Sequence, residues 1–561
     1  MKTKLLFLFV LLNTSLLIGQ DRLSGKSFAS RSEVLAQNGM AATNHPLATQ
    51  IALDILKNGG NAVDAAIAAN AFLGLADPAM NGIGGDLFAI IWSAKDKKLY
   101  GLNASGKSPK NLTYKELEKE IEDGKTYRTG ALSVTTPGCV DGWFELHSRF
   151  GVMNFADLLT PTIKYARAGV PITSEVSDFF IMFEANIQKS ENPSFKKVFF
   201  KDDHFPRKGD LFTNNDLANT LEIISKEGRN GFYTGKVAQT IVNHLKEKGG
   251  YLSLDDLKNN KPQWVEPLSI NYKGYDIWEL PPNGQGISVL QILNILEGTD
   301  LSEMTFGSAA HIHHFIEAKK LAYEDMARFY GDPEFGDIPL EELLSKEYSA
   351  KRRALIDPKK SGSYDPGLSA GDHTIYLTVA DKEGNMISLI QSLSAGFGSK
   401  EVPDGLGFAL QNRGSGFVMD KGHINQYAPE KRPFHTIIPA FVTKDGSPFI
   451  SFGLMGGDMQ PQGHTQIIIN LIDFGMNLQE AGDAPRIYHY GTTARGGHKD
   501  GVGETYLESG FDYESIRDLM DMGHDIRMMK GIYGGYQAIM KKNNIYYGAS
   551  ESRKDGQAAG Y

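Results

Sequence analysis

The sequence predicts an α/β (α+β) protein in which helices cover a central set of antiparallel strands. Amphipathic helical segments recur before Thr374, and β-branched and aromatic runs dominate after it. The 561 residues are 41% hydrophobic and 22% charged, as in ordinary globular proteins. The length alone would allow about three or four domains. No repeat or long low-complexity linker divides the chain, however, so one large layered domain is also open.

The first predicted elements are two consecutive helices. Residues 46–57 (PLATQIALDILK) are amphipathic, begin with Pro46 and stop at an Asn-Gly-Gly turn. Residues 61–76 are rich in alanine, which suits close packing against a sheet. A Gly-rich turn and an apolar strand are predicted at 81–92, and a further long helix at 308–330.

The segment after Thr374 is predicted to supply most of the strands. Its first two runs, TIYLTVA and MISLIQS, flank the turn sequence DKEGN and predict a hairpin. Strands are predicted at 374–380, 386–393, 407–411, 436–443 and 448–453, and helices at 464–474 and 512–521. Since helices come from both sides of Thr374, we predict a layered domain that is shared across that position.

Residues 1–20 are predicted to be a secretory signal peptide. Lys2 and Lys4 precede an apolar run that ends near Gly19, which is the order of a charged and an apolar region in such peptides. The apolar run is short for a membrane span. We therefore expect removal at about residue 19 or 20, and a mature protein that is secreted or periplasmic and has no membrane attachment.

Charge and cysteine content exclude several function classes. The formal net charge is −9, and no Lys/Arg run with interleaved aromatic residues is present, which argues against nucleic-acid binding. Cys139 is the only cysteine, so neither an intramolecular disulfide nor a cysteine-based zinc site is possible. Its apolar neighbours predict a buried structural residue. We predict neither a cofactor nor a metal.

Two local patterns fit ligand sites, but their surroundings argue against both. GLNASGKS at 101–108 matches a phosphate-loop pattern, but Pro109 follows it directly where a helix would have to begin. His311, His314 and Glu317 fall on one face of a predicted helix and form a conceivable metal set. Apolar residues accompany them, so a helix packed on the core is the preferred interpretation.

Thr374 lies where a new N-terminus could be made. Residues 358–373 are crowded with Gly, Ser, Pro and Asp, and a strand pattern begins at Thr374 itself. If the bond between His373 and Thr374 were cut, a hydroxyl and an α-amine would share one residue. An α-amine titrates near ~7.7–8.0, so near neutral pH it can accept the hydroxyl proton. Without further evidence, a threonine that starts a strand is simply a good strand former.

A pair of glycines follows the predicted strand PFISFGL. Gly456 and Gly457 could direct two backbone N–H groups at one oxygen, as an oxyanion hole requires. A Gly pair after a strand can also be an ordinary turn.

Several segments together resemble the γ-glutamyltransferase (glutathione hydrolase) family of N-terminal-nucleophile hydrolases. The resemblance spans nearly the whole mature chain and rests on NGGNAVDAAIAAN, NGIGGDLF, TTPGCVDGW, ARFYGDP, SFGLMGGDMQ and DGQAAGY, which occur in family order. It implies an αββα sandwich built from two chains of one self-cleaved precursor. These chains would be a large subunit, 21–373, and a small subunit, 374–561, which remain together as a heterodimer.

The resemblance also implies roles for individual residues. Thr374 would attack the amide carbon with its own α-amine as base, and Gly456 and Gly457 would bind the oxyanion. Ser392 matches the position of a second hydroxyl that supports the nucleophile. A γ-glutamyl ester would form on Thr374, and water or an amino-group acceptor would resolve it.

The residues that match the family's glutamate-binding positions differ from the family pattern. The segment that matches the carboxylate-binding arginine offers only Lys107, and Arg413 stands where the α-amine would be received. The serine pair is replaced by His435 and Thr436, and an asparagine by Ser394. These departures are closer to branches that resemble cephalosporin acylases, in which Arg413 would bind a substrate carboxylate.

Three hypotheses follow from the sequence. The first is a self-processing amidohydrolase or acyltransferase that cleaves small-molecule γ-glutamyl amides of the glutathione type. The second is an acylase for another carboxylate-bearing amide. The third is a catalytically silent binding protein that keeps only the fold.

Overall fold

Two antiparallel sheets of seven strands each form the centre of the protein, which confirms the predicted α/β class. The computed structural model describes residues 25–188, 192–364, 373–491 and 501–561. The predicted signal peptide, 1–20, therefore lies outside the described residues. Among the described residues, no helix combines the length and the apolar character that crossing a bilayer requires.

Most helices precede Thr374, as the sequence predicts. The helices are α1 (Pro46–Lys57), α2 (Ala62–Ala76), α3 (Tyr114–Glu122), α4 (Cys139–Phe150), α5 (Phe155–Ala168), α6 (Ser174–Gln188), α7 (Pro193–Phe199), α8 (Asn215–Glu227), α9 (Arg229–Tyr233), α10 (Lys236–Glu247), α11 (Leu254–Asn259), α12 (Ile287–Glu297), α13 (Ala309–Phe329), α14 (Leu340–Leu343), α15 (Lys346–Arg353), α16 (Met459–Ile472), α17 (Leu478–Asp483) and α18 (Tyr513–Asp521).

The strands come from both parts of the chain. They are β1 (Val34–Ala36), β2 (Met40–Thr43), β3 (Asp86–Ser93), β4 (Lys98–Ala104), β5 (Val170–Pro171), β6 (Leu211–Phe212), β7 (Gln263–Val265), β8 (Leu268–Tyr272), β9 (Tyr275–Glu279), β10 (His373–Ala380), β11 (Met386–Ser394), β12 (Ala440–Lys444), β13 (Ser447–Met455), β14 (Ile487–Tyr490), β15 (Glu504–Leu507), β16 (Asp525–Arg527), β17 (Gly535–Lys542), β18 (Ile545–Ser550) and β19 (Gln557–Gly560).

The strand order interleaves residues from before and after Thr374. One sheet has the order β1-β18-β17-β13-β12-β9-β8, and the other has the order β19-β2-β10-β11-β3-β4-β7. Strand β10, which carries Thr374, pairs with β2 on one side and with β11 on the other. Neither sheet can therefore form without both parts of the chain.

Apolar side chains fill three layers, which makes the architecture an αββα sandwich. Phe88 and Ile390 of one sheet meet Phe441 and Ile539 of the other in the layer between the sheets. A second layer packs helices such as α1 and α2 against the outer face of the sheet that contains β10. A third layer packs α12, α13 and α16 against the outer face of the other sheet.

The local sequence explains why α1 and α2 form and pack closely. Pro46 occupies the first turn of α1, where a missing N–H costs nothing. The Asn61 side chain accepts hydrogen bonds from the backbone N–H groups of Val63 and Asp64 at the start of α2, and Asp64 completes a capping box. The small alanines of α2 are buried almost throughout, so the helix lies close to the sheet.

Two of the predicted strands differ from the structure. Residues 407–411 are buried but irregular, because their N–H groups have scattered partners: Leu410 donates to the carbonyl of Glu401, and Gln411 to that of Gly84. The strand predicted at 436–443 begins only at Ala440, since the Ile438 N–H donates to a side-chain oxygen of Gln460. Among the described residues, no strand forms a regular ladder with 407–411 or with 436–439, so these N–H groups find other partners.

Residues 101–108 do not form a phosphate loop. Their first part belongs to strand β4, and the next helix, α3, begins only at Tyr114, as the sequence predicts. Ser108 is buried and donates a hydrogen bond to the carbonyl of Ala428. No helix N-terminus is therefore available at this loop to hold a phosphate group.

Candidate active site

Thr374 lies at the beginning of β10, in the middle of a sheet, and lines a cavity of about 220 Å³. Its side chain is almost completely buried, with 1% of the residue exposed. The register of the β10–β11 pair shifts between His373 and Ile375, so a bulge falls at Thr374. Bulges redirect a side chain out of the regular alternation of a strand, which is a common feature of functional sites.

The hydroxyl group of Ser392 lies next to that of Thr374. Thr374 Oγ1 donates a hydrogen bond to Ser392 Oγ over 3.3 Å. The backbone N–H of Ser394 donates to the same Ser392 oxygen at 2.8 Å. The structure thus brings together the two hydroxyl-bearing residues that the sequence analysis singled out, and the backbone fixes the orientation of the second one.

Gly456 and Gly457 connect β13 to α16 beside the same cavity. Gly456 lines the cavity together with Thr374. The two glycines have φ values of +129° and +56°, and a Cβ on Gly456 would lie 3.0 Å from Gly534 Cα, so a side chain at either position would be strained. Among the described residues, neither backbone N–H has a backbone partner. The adjacent N-terminus of α16 adds a partial positive charge that favours an oxyanion.

Arg413 is held inside the protein by an ion pair. Its Nε donates to Asp86 Oδ2 at 2.5 Å, and its Nη1 donates to Thr436 Oγ1 at 2.9 Å. His435 Nε2 lies 3.0 Å from the same Asp86 oxygen, and the His435 ring stacks on Phe88. The exposed fraction of Arg413 is 2%, and His435 and Thr436 are fully buried. Asp86 therefore gives Arg413 a counter-charge from within the protein, and the expectation that Arg413 receives a substrate carboxylate stays a prediction.

The charge of Asp86 is stabilised by its neighbours. Burial raises the pKa of its carboxyl group, but Arg413 and His435 lower it by more, so the net pKa is below the ordinary value. Asp86 and Ser392 are direct cross-strand partners in the β3–β11 pair. The ion pair therefore lies next to the residue that contacts Thr374.

The two remaining predicted binding residues lie in different places. Ser394 is fully buried at the end of β11 and has a φ of +79°. Lys107 is 36% exposed, forms an ion pair with Glu334 at 2.8 Å and lines a cavity that does not include Thr374. The structure therefore groups Ser394 with the buried residues around Thr374, and it does not bring Lys107 to the nucleophile.

Sequence reasoning missed most of the other residues that line the Thr374 cavity. Two of them are charged, Asp458 and Lys554. Asp458 directly follows the glycine pair, which was the available signal for it. Lys554 precedes the DGQAAGY segment and forms an ion pair with Glu175 at 3.0 Å. The other lining residues are Met80, Met455, Tyr488, Gly531, Ile532 and Gly534.

The histidines of α13 form a different group from the predicted one. His313 and Glu317, rather than His311 and His314, come together with His524, and their donor atoms lie within 4.8 Å of one another. His313 Nδ1 lies 2.8 Å from His524 Nε2, and Lys320 Nζ donates to Glu317 at 2.6 Å. Protein partners thus already satisfy these donor atoms, and a lysine ammonium neutralises the carboxylate.

Cys139 is a buried structural residue, as predicted. It lies at the start of α4 and is fully buried. Burial raises the pKa of its thiol well above the ordinary value, and the charge of Asp86 raises it further. A neutral thiol is a weak nucleophile, so Cys139 is not a candidate for catalysis.

Comparison with known proteins shows which family and which solved structures this chain is similar to. Residues 48–561 match the family described as Gamma-glutamyltranspeptidase. The chain is 37% identical to the "Glutathione hydrolase-like YwrD proenzyme" of Bacillus subtilis (strain 168), over 94% of this chain and 99% of that protein. It is 34% identical to the "Glutathione hydrolase proenzyme" of Pseudomonas sp. (strain A14), over 82% and 83% of the two chains. The crystal structure of a cephalosporin acylase from Bacillus halodurans matches with a TM-score of 0.88 and 38% identity, over 97% of this chain and 99% of that chain.

Proposed function

Because the chain belongs to the gamma-glutamyltranspeptidase family, we propose that it is a self-processing amidohydrolase whose nucleophile is Thr374. The observation that carries the proposal is the position of Thr374, at the start of a central strand and in one cavity with Gly456. We further propose that residues 1–20 are removed on export to the periplasm or the exterior. The mature enzyme would be a heterodimer of 21–373 and 374–561.

Maturation begins with attack of the Thr374 hydroxyl oxygen on the carbonyl carbon of His373. The C–N bond between the two residues breaks, an ester forms on Thr374 Oγ1, and the hydroxyl proton ends on the released amine. Water then hydrolyses the ester, which leaves a carboxylate on His373 and a free hydroxyl and α-amine on Thr374. This sequence of steps needs no external reagent other than water.

The mature enzyme repeats the same chemistry on a substrate amide. The α-amine of Thr374 takes the hydroxyl proton as the oxygen attacks the amide carbon, and the proton then passes to the leaving amine as the C–N bond breaks. Water attacks the resulting ester and gives a carboxylic acid, or an amine attacks it and gives a new amide. Either attack frees the Thr374 hydroxyl again.

The neighbouring residues support both reactions. Ser392 holds the Thr374 hydroxyl through the 3.3 Å hydrogen bond. The backbone N–H groups of Gly456 and Gly457 would stabilise the negative oxygen of the tetrahedral intermediate. A single oxyanion-hole donor is worth about 10²–10³ in kcat in other enzymes.

The acyl donor is proposed to be a γ-glutamyl amide or, as the second candidate, another carboxylate-bearing amide. The second candidate is favoured because a cationic residue, Arg413, stands where the resemblance places the receptor of the α-amine, which weakens recognition of the free glutamyl head group. Similarity to an acylase structure supports the same candidate.

The maturation test is the intact mass of the denatured protein. We expect two fragments that meet between His373 and Thr374 in the wild type and one uncut chain in Thr374→Ala. Thr378→Ala is the matched control, because Thr378 is a buried threonine of the same strand whose hydroxyl bonds to Ser451 instead. An uncut wild-type chain after long incubation would overturn the proposal and favour a silent binding protein.

The substrate test compares two anilides that differ only in the α-amine. Preference for γ-glutamyl 4-nitroanilide over glutaryl 4-nitroanilide would support a glutathione-type donor. The opposite preference would support the acylase candidate. Both rates are measured on the matured protein, so the result does not depend on the efficiency of self-cleavage.

A further inference from the structure

A second cavity adjoins the one that contains Thr374. It has a volume of about 590 Å³. The two cavities share Gly531, Gly534 and Lys554 as lining residues, so they lie side by side along this edge. The segment 528–534 forms much of the wall, and we call the second cavity the 528–534 groove.

The 528–534 groove lies away from the residues that match the family's glutamate-binding positions. Ser394, Arg413, His435 and Thr436 are buried and line neither cavity. An amide that is bound across Thr374 has its acyl half on one side of the scissile bond and its amine half on the other. The open side of Thr374 that leads to the 528–534 groove therefore suits the amine half.

The wall of the groove is partly apolar and exposed. Met528 is 65% exposed and Met529 is 55% exposed, while Leu507 and Tyr533 form a buried apolar floor. Methionines adapt their shape to irregular apolar partners. Two exposed methionines beside a nucleophile cavity thus offer a surface for an apolar group.

Among the residues that the structure describes, the charged side chains of the groove leave one cation without an ion-pair partner. Arg553 pairs with Glu508 at 2.6 Å, and Lys554 pairs with Glu175 at 3.0 Å. Lys530 is exposed, and no carboxylate of the described residues lies within ion-pair distance of it. The remaining charge of the groove is therefore positive and is located at Lys530.

From these observations we propose that the 528–534 groove binds the amine half of the substrate, and that this half has an apolar body and a carboxylate that reaches Lys530. The same groove would receive amines that act as acyl acceptors, since they occupy the same side of the ester on Thr374. This inference rests on the proposed role of Thr374 only for the orientation of the substrate. The binding preference itself is a property of the groove.

The test uses two amines of the same aromatic body, 4-nitroaniline and its carboxylated form 5-amino-2-nitrobenzoate. Binding to the purified full-length protein is measured by NMR line broadening at low ionic strength. We expect the carboxylated amine to bind about two- to fivefold more tightly, the range for a solvent-exposed ion pair. Lys530→Ala should remove this difference, and Lys530→Arg should keep it. Equal binding of the two amines by the wild type would overturn the proposal.

Matched controls separate the charge from the apolar wall. Lys421→Ala removes an exposed lysine that lines neither cavity, and it should leave both affinities unchanged. The double variant Met528→Ser/Met529→Ser should weaken both amines by a similar factor. If both amines bind the double variant as tightly as the wild type, the methionines are not part of the site.

Kinetics on the matured enzyme provide the second readout. With a fixed acyl group, Lys530→Ala should lower kcat/KM for the carboxylated anilide about two- to fivefold and leave the neutral anilide unchanged. A protein that binds the amines with this preference but hydrolyses no anilide would contradict the proposed function and support amine binding in the 528–534 groove. A protein that hydrolyses both anilides at rates that do not depend on Lys530 would support the proposed function and contradict the role of the groove.

Discussion

At the scale of single residues, Asp86 and Arg413 form a buried ion pair beside the residues that surround Thr374. The two residues are separated by 327 positions in the chain. They meet because the backbone N–H groups of Gln411 and Asn412, just before Arg413, donate to the carbonyls of Gly84 and Leu393, close to Asp86. Each would be a buried charge without the other. The pair therefore fills, from within the protein, the region where the resemblance implies a substrate head group.

Removal of Asp86 should destabilise the protein strongly. Asp86→Asn leaves the guanidinium of Arg413 buried without its counter-charge, and we expect the free energy of unfolding to fall by about 3–5 kcal/mol. Asp404→Asn is the control, since Asp404 pairs with Lys197 on the surface and should cost at most about 1 kcal/mol. Equilibrium unfolding in urea at pH 7 measures both changes.

The double variant Asp86→Asn/Arg413→Met tests whether the unpaired charge of Arg413 causes the loss of stability in Asp86→Asn. It should recover much of the stability that Asp86→Asn loses, because no charge then remains buried. If the double variant is as unstable as Asp86→Asn alone, the loss comes from packing around the strand instead.

The sequence could predict part of the site because its signals are local. Thr374 follows a segment rich in Gly, Ser, Pro and Asp, and the glycine pair at 456–457 follows a predicted strand. Both positions can therefore be recognised from the residues next to them in the sequence. The partner of Arg413 was not visible, because Asp86 lies at the end of a Gly-rich turn far away in the chain. Lys530 has no local signal at all, since only the folded groove shows that its neighbours are paired.

At the scale of elements, a buried chain of hydrogen bonds links α13 to residues that come shortly before the proposed cleavage point between His373 and Thr374. His313 Nε2 donates to the carbonyl of Asp357 at 2.8 Å, which leaves Nδ1 to accept from His524 Nε2. His524 Nδ1 lies 3.3 Å from Ser361 Oγ, and Lys320 Nζ donates to the same oxygen at 2.9 Å. In this arrangement His313 is neutral, because its Nε2 donates a hydrogen bond while its Nδ1 accepts one.

Protonation of these histidines should therefore destabilise the protein below neutral pH. Burial and the nearby charges of Lys320 and His313 together lower the pKa of His524 to about 3, and burial also lowers the pKa of His313. In the unfolded chain these histidines bind protons near the ordinary pKa of about 6.5. The free energy of unfolding therefore keeps its full value above that pH and falls as the pH decreases below it. Each such histidine contributes a loss of about 1.4 kcal/mol per pH unit.

The prediction is checked with urea unfolding between pH 7.5 and 5. Burial raises the pKa of Asp77 to about 7 and that of Asp141 to about 6, so these groups also titrate in this range, and the difference between the wild type and His524→Gln isolates the contribution of His524. The free energy of unfolding of the wild type should fall as the pH falls. For His524→Gln the slope should be smaller, because unfolding of this variant takes up about one proton fewer. His423→Gln is the control, because His423 is only half-buried and outside this network. Equal slopes for the wild type and His524→Gln would show that His524 is not neutral in the folded state.

Elements that depend on distant partners were the ones that sequence patterns predicted poorly. The hairpin of β10 and β11 was predicted nearly to the residue, because its own two strands pair with each other. Residues 407–411 have a strand-like pattern, but the structure gives their N–H groups partners in several different segments. Alternation alone cannot tell these two situations apart.

At the scale of the whole molecule, both sheets mix strands from the two proposed subunits. Strand β10 lies between β2 and β11, and β19 pairs with the other edge of β2. In the other sheet, β9 of the first part pairs with β12 of the second. A cut before Thr374 therefore leaves the interface between the chains intact, and the interface is the core of the domain.

This architecture predicts that unfolding depends on protein concentration only after the cut. The matured protein releases two chains when it unfolds, whereas the Thr374→Ala precursor releases one, so mass action stabilises only the former as concentration rises. A hundredfold increase in concentration should raise the unfolding free energy of the cut protein by about 2.7 kcal/mol, seen as a higher urea midpoint, and should leave the precursor unchanged. Refolding from urea must reproduce each midpoint, since large proteins often unfold irreversibly. Midpoints independent of concentration in a protein whose mass shows two fragments would mean that the chains stay joined when unfolded, and would contradict the proposed heterodimer held only by its shared core.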